Sequence, residues 1–150
     1  MGLDITAYRQ LTLAPDAEID DGYPVDDGVW LPGVSMEWSE EHWPGRGEGL
    51  VATMPYRFAE RLDFRAGSYG GYNQWREWLD SIRSEPNSFY ELIDFADNEG
   101  VIGPIVSAKL AKDFTAHLEI VPKDRWYREK YLLWHKAFLM ASDGGAVDFH

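Results

Sequence analysis

Apolar and polar residues alternate at the start of the chain, where Leu3, Ile5 and Ala7 share one side of an extended segment and Tyr8 falls out of step. This predicts a strand over residues 2–13 with a bulge near Tyr8. Residues 14–33 hold Pro15, Asp20-Asp21-Gly22, Pro24, Asp26-Asp27-Gly28 and Pro32, turn formers and like charges that cannot sustain a helix. A loop is expected there, or a hairpin with short strands at 23–25 and 29–31. Residues 36–49, with Trp38, Trp43 and Pro44-Gly45, read as irregular with aromatic anchors. Two more strands, 50–54 and 56–64, are expected on either side of Pro55.

The period then changes. Tyr72, Trp75, Trp78, Leu79 and Ile82 recur at spacings of three and four, the mark of an amphipathic helix over 72–83. After Glu85-Pro86-Asn87 a short helix is expected over 88–96, capped by Asn87 or Ser88. Residues 97–104 read as a turn-rich connection. Pro104 suits the first turn of a helix running to about 121, with Val106, Leu110, Ala111, Phe114 and Leu118 facing the core. A last helix, 123–142, should bury Trp126, Tyr127, Leu133, Trp134, Ala137 and Phe138, and Gly144-Gly145 should stop it. Residues 146–150 remain as a closing strand.

Early strands and late helices define an α+β fold. The expected architecture is a small antiparallel or mixed sheet of N-terminal strands plus the C-terminal strand, packed against three to four helices from the second half. One domain spans 1–150, with an acidic, Trp-containing insert at about 14–49 and no repeat or flexible linker.

Composition narrows the function classes. Net charge is −12, and residues 1–50 carry eleven acidic side chains against Arg9 and Arg46 alone. Such a field repels phosphate backbones, so nucleic acid is not an expected partner. Arg57, Arg61, Arg65, Arg76 and Arg83 follow in sequence and would steer an anionic ligand toward the second part of the chain. The chain has no cysteine, hence no disulfide, thiolate zinc site or thiol nucleophile. No apolar run reaches the roughly 20 residues needed to cross a bilayer, and the start lacks the basic and apolar regions of a secretory signal. Cytoplasmic location without membrane association is the expectation, and the density of aromatic residues makes a homodimer an expected assembly.

Two segments hold candidate chemistry. In Phe64-Arg65-Ala66-Gly67-Ser68-Tyr69-Gly70-Gly71-Tyr72-Asn73-Gln74-Trp75-Arg76 a glycine-rich turn lies between a strand and a helix. Helix starts expose free N–H groups that attract anions. Arg65 and Arg76 would add charge-assisted bonds, Ser68 and Asn73 hydrogen bonds, and Tyr69 or Tyr72 a stacking surface. The spacing is neither a phosphate-binding Walker loop nor a dinucleotide fingerprint, and ordinary capping and charge neutralisation explain the same residues. The second segment, Asp97-Asn98-Glu99-Gly100, offers carboxylates and an amide for a ribose or base edge, or simply an Asx turn. His42, His117, His135 and His150 are too scattered for a metal signature, with His117 and His135 expected on helix surfaces. No metal, cofactor or catalytic residue is assigned.

The opening Met-Gly-Leu-Asp-Ile-Thr-Ala-Tyr, the segment 64–76, the run Asp97-Asn98-Glu99-Gly100-Val101-Ile102-Gly103-Pro104 and the ending Asp143-Gly144-Gly145-Ala146-Val147-Asp148-Phe149-His150 resemble a family of small proteins of tailed phages and prophages. The likeness covers both ends and most of the second half, but not 14–55. It implies an accessory role inside an infected host, often the blocking of host defence, and carries over no functional residue. Two expectations follow. One is sequestration of a small anionic, nucleotide-like immune signal by Arg65, Ser68, Tyr69, Tyr72, Asn73, Arg76, Asp97, Asn98 and Glu99. The other is inhibition of a host protein by the acidic 16–48 face. Hydrolysis of such a signal, with Asp97 or Glu99 as acid or base, ranks below both.

Overall fold

The computed structural model describes residues 2–150. The fold is α+β. Its centre is a four-stranded antiparallel sheet formed by β1 (Gly2–Arg9), β7 (Glu60–Ser68), β8 (Gly100–Ile102) and β9 (Ala146–Phe149), in the order β7-β1-β9-β8. Short strands β2 (Thr12–Leu13), β5 (Val29–Trp30) and β6 (Tyr56–Arg57) make a second, three-stranded sheet, and β3 (Ile19–Asp20) pairs with β4 (Tyr23–Pro24) as a separate hairpin. The helices are α1 (Gly33–His42), α2 (Tyr69–Ile82), α3 (Tyr90–Ile93), α4 (Pro104–His117) and α5 (Arg125–Ser142), with a 3-10 turn at Leu118–Ile120.

Strand alternation divides the central sheet into two faces. Leu3, Ile5, Ala7, Phe64, Ala66, Ile102, Val147 and Phe149 pack on the aromatic core supplied by α2, α4 and α5, where Tyr72, Trp75, Phe114, Trp134 and Phe138 are buried. The opposite face carries Asp4, Thr6 and Tyr8 of β1, which pair in register with Arg65, Asp63 and Arg61 of β7. On the other side of β1, Thr6 pairs with Asp148 and Tyr8 with Ala146. Ala66 is the extra residue of a bulge between Leu3↔Gly67 and Asp4↔Arg65, which keeps Arg65 on this polar face.

Half of the polar face is roofed. Tyr8, Val101 and Ala146 are buried under Trp30, Met36 and Tyr56, with Phe58 against Tyr8 at a ring separation of 4.8 Å. Tyr8 therefore breaks the expected apolar rhythm without a bulge: it lies in phase on the second face, and that face is apolar where the insert covers it. The bulge falls at Leu3/Asp4 instead. A further departure is that residues 33–42 form helix α1 although their sequence lacks a clear apolar stripe. Burial of Met36 and Ser39 holds it in place, and Ser39 Oγ accepts the N–H of Val101 at 3.2 Å on the edge strand β8. Residues 50–54 form no strand, and the turn-rich 97–104 connection contains β8.

Two burial expectations are corrected. Trp126 is 40% exposed in the first turn of α5, outside the core. His117 is buried instead of on a surface: its Nε2 accepts the N–H of Ser84 at 3.1 Å and its Nδ1–H donates to the carbonyl of Asp113 at 2.7 Å. Both ring nitrogens are thereby satisfied in the neutral tautomer. No helix among the described residues is long and apolar enough to cross a membrane.

Candidate functional site

Beside the roofed part of this face, where β9 ends, lies a cleft of about 1020 Å³, the size range of small-molecule sites. Its floor is the C-terminal end of β9, with Asp148 and His150. The walls are the tip of the β3–β4 hairpin, Trp30, the first turn of α1, Ala52-Thr53, Tyr69, and Asn98-Glu99. Each element presents its residues there for a local reason. Asp21 and Gly22, both at positive φ, turn the hairpin tightly so that Tyr23 leans over the opening. Gly33, at φ +63° with its N–H on the carbonyl of Ala52 at 2.7 Å, swings the chain from β5 into α1.

Asp148 is the electrostatic centre. It sits in the sheet between Thr6 and Val101, and Trp30 Nε1–H donates to its Oδ2 at 3.2 Å. Burial pushes its carboxyl up to about 7, against which the Trp30 bond acts weakly. Among the described residues no donor meets the other oxygen. The ionisable groups around it are Tyr8, Asp63 and Arg61 on the neighbouring strands, His150 two residues on, and Glu37 and Glu99 across the cleft. Burial and the charge of Asp148 hold the Tyr8 phenol well above its ordinary range. A carboxyl so perturbed, in an open cleft, is a typical mark of a functional position.

Beside it runs a fixed polar chain. Thr6 Oγ1 donates to Asp63 Oδ1 at 2.7 Å and lies 3.0 Å from His150 Nε2. Since the one hydroxyl hydrogen is committed to the carboxylate, the imidazole is the donor to Thr6 and Nδ1 is its free acceptor. Arg61 grips Asp63 through two bonds of 2.9 and 2.7 Å and holds its carboxyl below the usual range. The polarity is the reverse of a nucleophile–base pair, in which the hydroxyl donates to the imidazole. With Thr6 only 2% exposed, this chain fastens β7, β1 and the end of β9 together and offers no nucleophile.

The nine residues expected from sequence do not form one pocket. Tyr69, Asn98 and Glu99 line the cleft. Arg65 lies on the same sheet face and pairs with Asp4 at 3.3 Å. Ser68 caps α2, accepting the N–H of Gly71 at 3.0 Å. Tyr72 is fully buried in the core. Arg76 turns inward, bonding the carbonyls of Ile93 at 3.1 Å and Phe95 at 2.6 Å and the side chain of Asn73, while Asn73 donates to Asp97 Oδ2 at 3.0 Å. The two arginines thus do not converge: one is spent on a carboxylate, the other on backbone carbonyls that strapping α2 to the 93–97 loop requires. Arg76→Ala should cost about 1–3 kcal/mol in urea denaturation by orphaning those carbonyls, with ligand uptake by the folded variant unchanged.

Asp148, His150 and Thr6 join the cleft and its flank without having been expected from the motifs, as does Trp30, which carries no signal of its own in the sequence. The signal for Thr6, Asp148 and His150 is the polar phase of the terminal strands: Asp4-x-Thr6-x-Tyr8 and Asp148-x-His150 alternate with the apolar residues of those strands. No group of residues suited to a metal occurs among the described residues. Comparison with known proteins finds no family model, no curated protein and no solved structure that matches this chain.

Proposed function

We propose that this protein is a small-molecule binding protein that takes up one organic ligand in the cleft over β9 and holds it without covalent change. The observation that carries this reading is the hollow itself, floored by a carboxyl displaced to about 7 and bordered by Tyr23, Trp30 and Tyr69. Aromatic walls with a few fixed polar groups suit an organic ligand, and the direction of the Thr6–His150 hydrogen bond, which does not activate the hydroxyl, favours holding over conversion. The resemblance to small phage proteins supports a setting in which the ligand is a nucleotide immune signal sequestered in the host cytoplasm. Such a ligand would offer its base amines and ribose hydroxyls to Asp148, Asn98 and Glu99. Its phosphates would face out of the cleft into solvent, away from the lining carboxylates.

A second reading is favoured by the hairpin. Tyr23 is 74% and Val25 56% exposed within a run holding Asp16, Glu18, Asp20 and Asp21, a surface suited to contact with a basic host protein. One experiment separates the readings. The protein is incubated with cyclic dinucleotides, larger cyclic oligonucleotides and cyclic ADP-ribose derivatives, filtered, then denatured by heat, and the filtrates are analysed by mass spectrometry. Uptake followed by release of intact ligand is expected. Release of a cleaved product would make the protein a hydrolase, and no depletion of any panel member would shift the balance to the hairpin and a protein partner.

A further inference from the structure

The charges around the cleft narrow the ligand, on the reading above that the cleft holds a small molecule. Among the described residues, Asp21, Glu37, Glu99 and Asp148 line it, and no lysine or arginine does. Asp148 uses one oxygen for Trp30 and has the other without a protein donor, and the Ser35 hydroxyl oxygen on the α1 wall is buried with no partner. A carboxylate oxygen in the lining of a solvent-open hollow is thus left for a donor from outside the protein. Around the hollow stand the rings of Tyr23, Trp30 and Tyr69, whose faces attract positive charge. The first 50 residues, which build most of this wall, carry a large negative excess and draw cations toward it.

We infer that the cleft takes an organic cation, or the cationic nitrogen edge of a larger ligand, seated against Asp148 among Trp30, Tyr23 and Tyr69. An amidinium-type group matches the site, because its N–H donors suit the carboxylate oxygen left without a partner while its planar body suits the aromatic walls. An anionic group in the same place would meet the carboxyls of Asp21, Glu37, Glu99 and Asp148 and leave the free oxygen of Asp148 unpaired.

The test uses three probes of one shape and different charge: benzamidinium, benzamide and benzoate. Each is titrated into the ¹⁵N-labelled full chain at pH 7.5, following the Trp30 indole N–H resonance, assigned with Trp30→Phe. Benzamidinium is expected to move that resonance with a Kd at least tenfold below that of benzamide, benzoate to leave it unmoved, and Asp148→Asn to abolish the discrimination. Benzamide or benzoate binding as tightly as benzamidinium would overturn cation selectivity while leaving the cleft a small-molecule site. Failure of all three to move Trp30 would also overturn the inference, and uptake of a panel nucleotide beside that failure would show that the small-molecule reading itself survives.

Discussion

Asp148→Asn is expected to make the protein more stable at pH 8 while removing its affinity for ligand. An ordinary aspartate ionises near 3.8, whereas folded Asp148 keeps its proton up to about 7. Between those values the folded chain binds a proton that the unfolded chain has released, so stability falls as pH rises through this window and levels off above it. Asparagine has the shape of the protonated form and still accepts from Trp30, so it escapes that loss. Each pK unit is worth about 1.4 kcal/mol, which sets a ceiling near 4 kcal/mol; solvent reaching the carboxyl through the cleft lowers the expected gain to about 1–3 kcal/mol. In a domain of this size that is a rise of roughly 3–10 °C in Tm. At pH 4 the two proteins should agree within about 0.5 kcal/mol. Paired thermal melts at pH 4 and pH 8 read both numbers, and a variant no more stable than the parent at pH 8 would mean that Asp148 is not the strained group described here. A residue that costs the fold stability where asparagine would not is best explained by what it does in the cleft.

Gly145→Ala should be among the most damaging single substitutions available. A methyl built on Gly145 would stand 1.8 Å from the carbonyl oxygen of Tyr8 and 3.1 Å from the Ala141 backbone. Neither obstacle is a movable side chain. The seam between β1 and β9 would have to open, releasing the strand that carries Asp148 and His150 from the centre of the sheet. A loss of about 3–5 kcal/mol is expected, the range reserved for core disruption, together with loss of ligand uptake. Gly144→Ala is the contrast: its methyl meets open space, and only the φ of +62° opposes it, at about 1 kcal/mol. Urea titrations of both variants check the pair, and a cost below 1 kcal/mol for Gly145→Ala would show that the seam yields where the packing says it cannot.

The class of fold was readable from period alone. Strong three-and-four spacing marked α2, α4 and α5, because each buries one stripe on the sheet and the large aromatics of that stripe are hard to place otherwise. Alternation marked β1 and β9 for the same reason. What the pattern could not show was the second layer. Helix α1 is held by what it covers, with Ser39 serving the edge of β8, and that contact has no signature at the level of the helix. The three residues of β8 are recognisable only once β9 lies beside them. The spatial relation of the candidate residues is hidden from the sequence on the same account. Arg65 and Arg76 are close in sequence and chemically suited to an anion, but a strand and a helix send them in different directions, and two carbonyls near Phe95 claim the second. Asp4, Thr6, Asp148 and His150 come from the two ends of the chain and meet only through antiparallel pairing.

The central claim is that Asp148 floors a ligand-binding cleft in a half-protonated state near neutral pH. A ¹³C NMR titration of its side-chain carboxyl tests this directly, in the free protein and with saturating benzamidinium. We expect a midpoint of about 7 without ligand, falling by more than one unit when the cation is bound, since a positive partner favours the ionised form. A free-protein midpoint below 5, or one that stays in place while the probe is bound, would contradict the account.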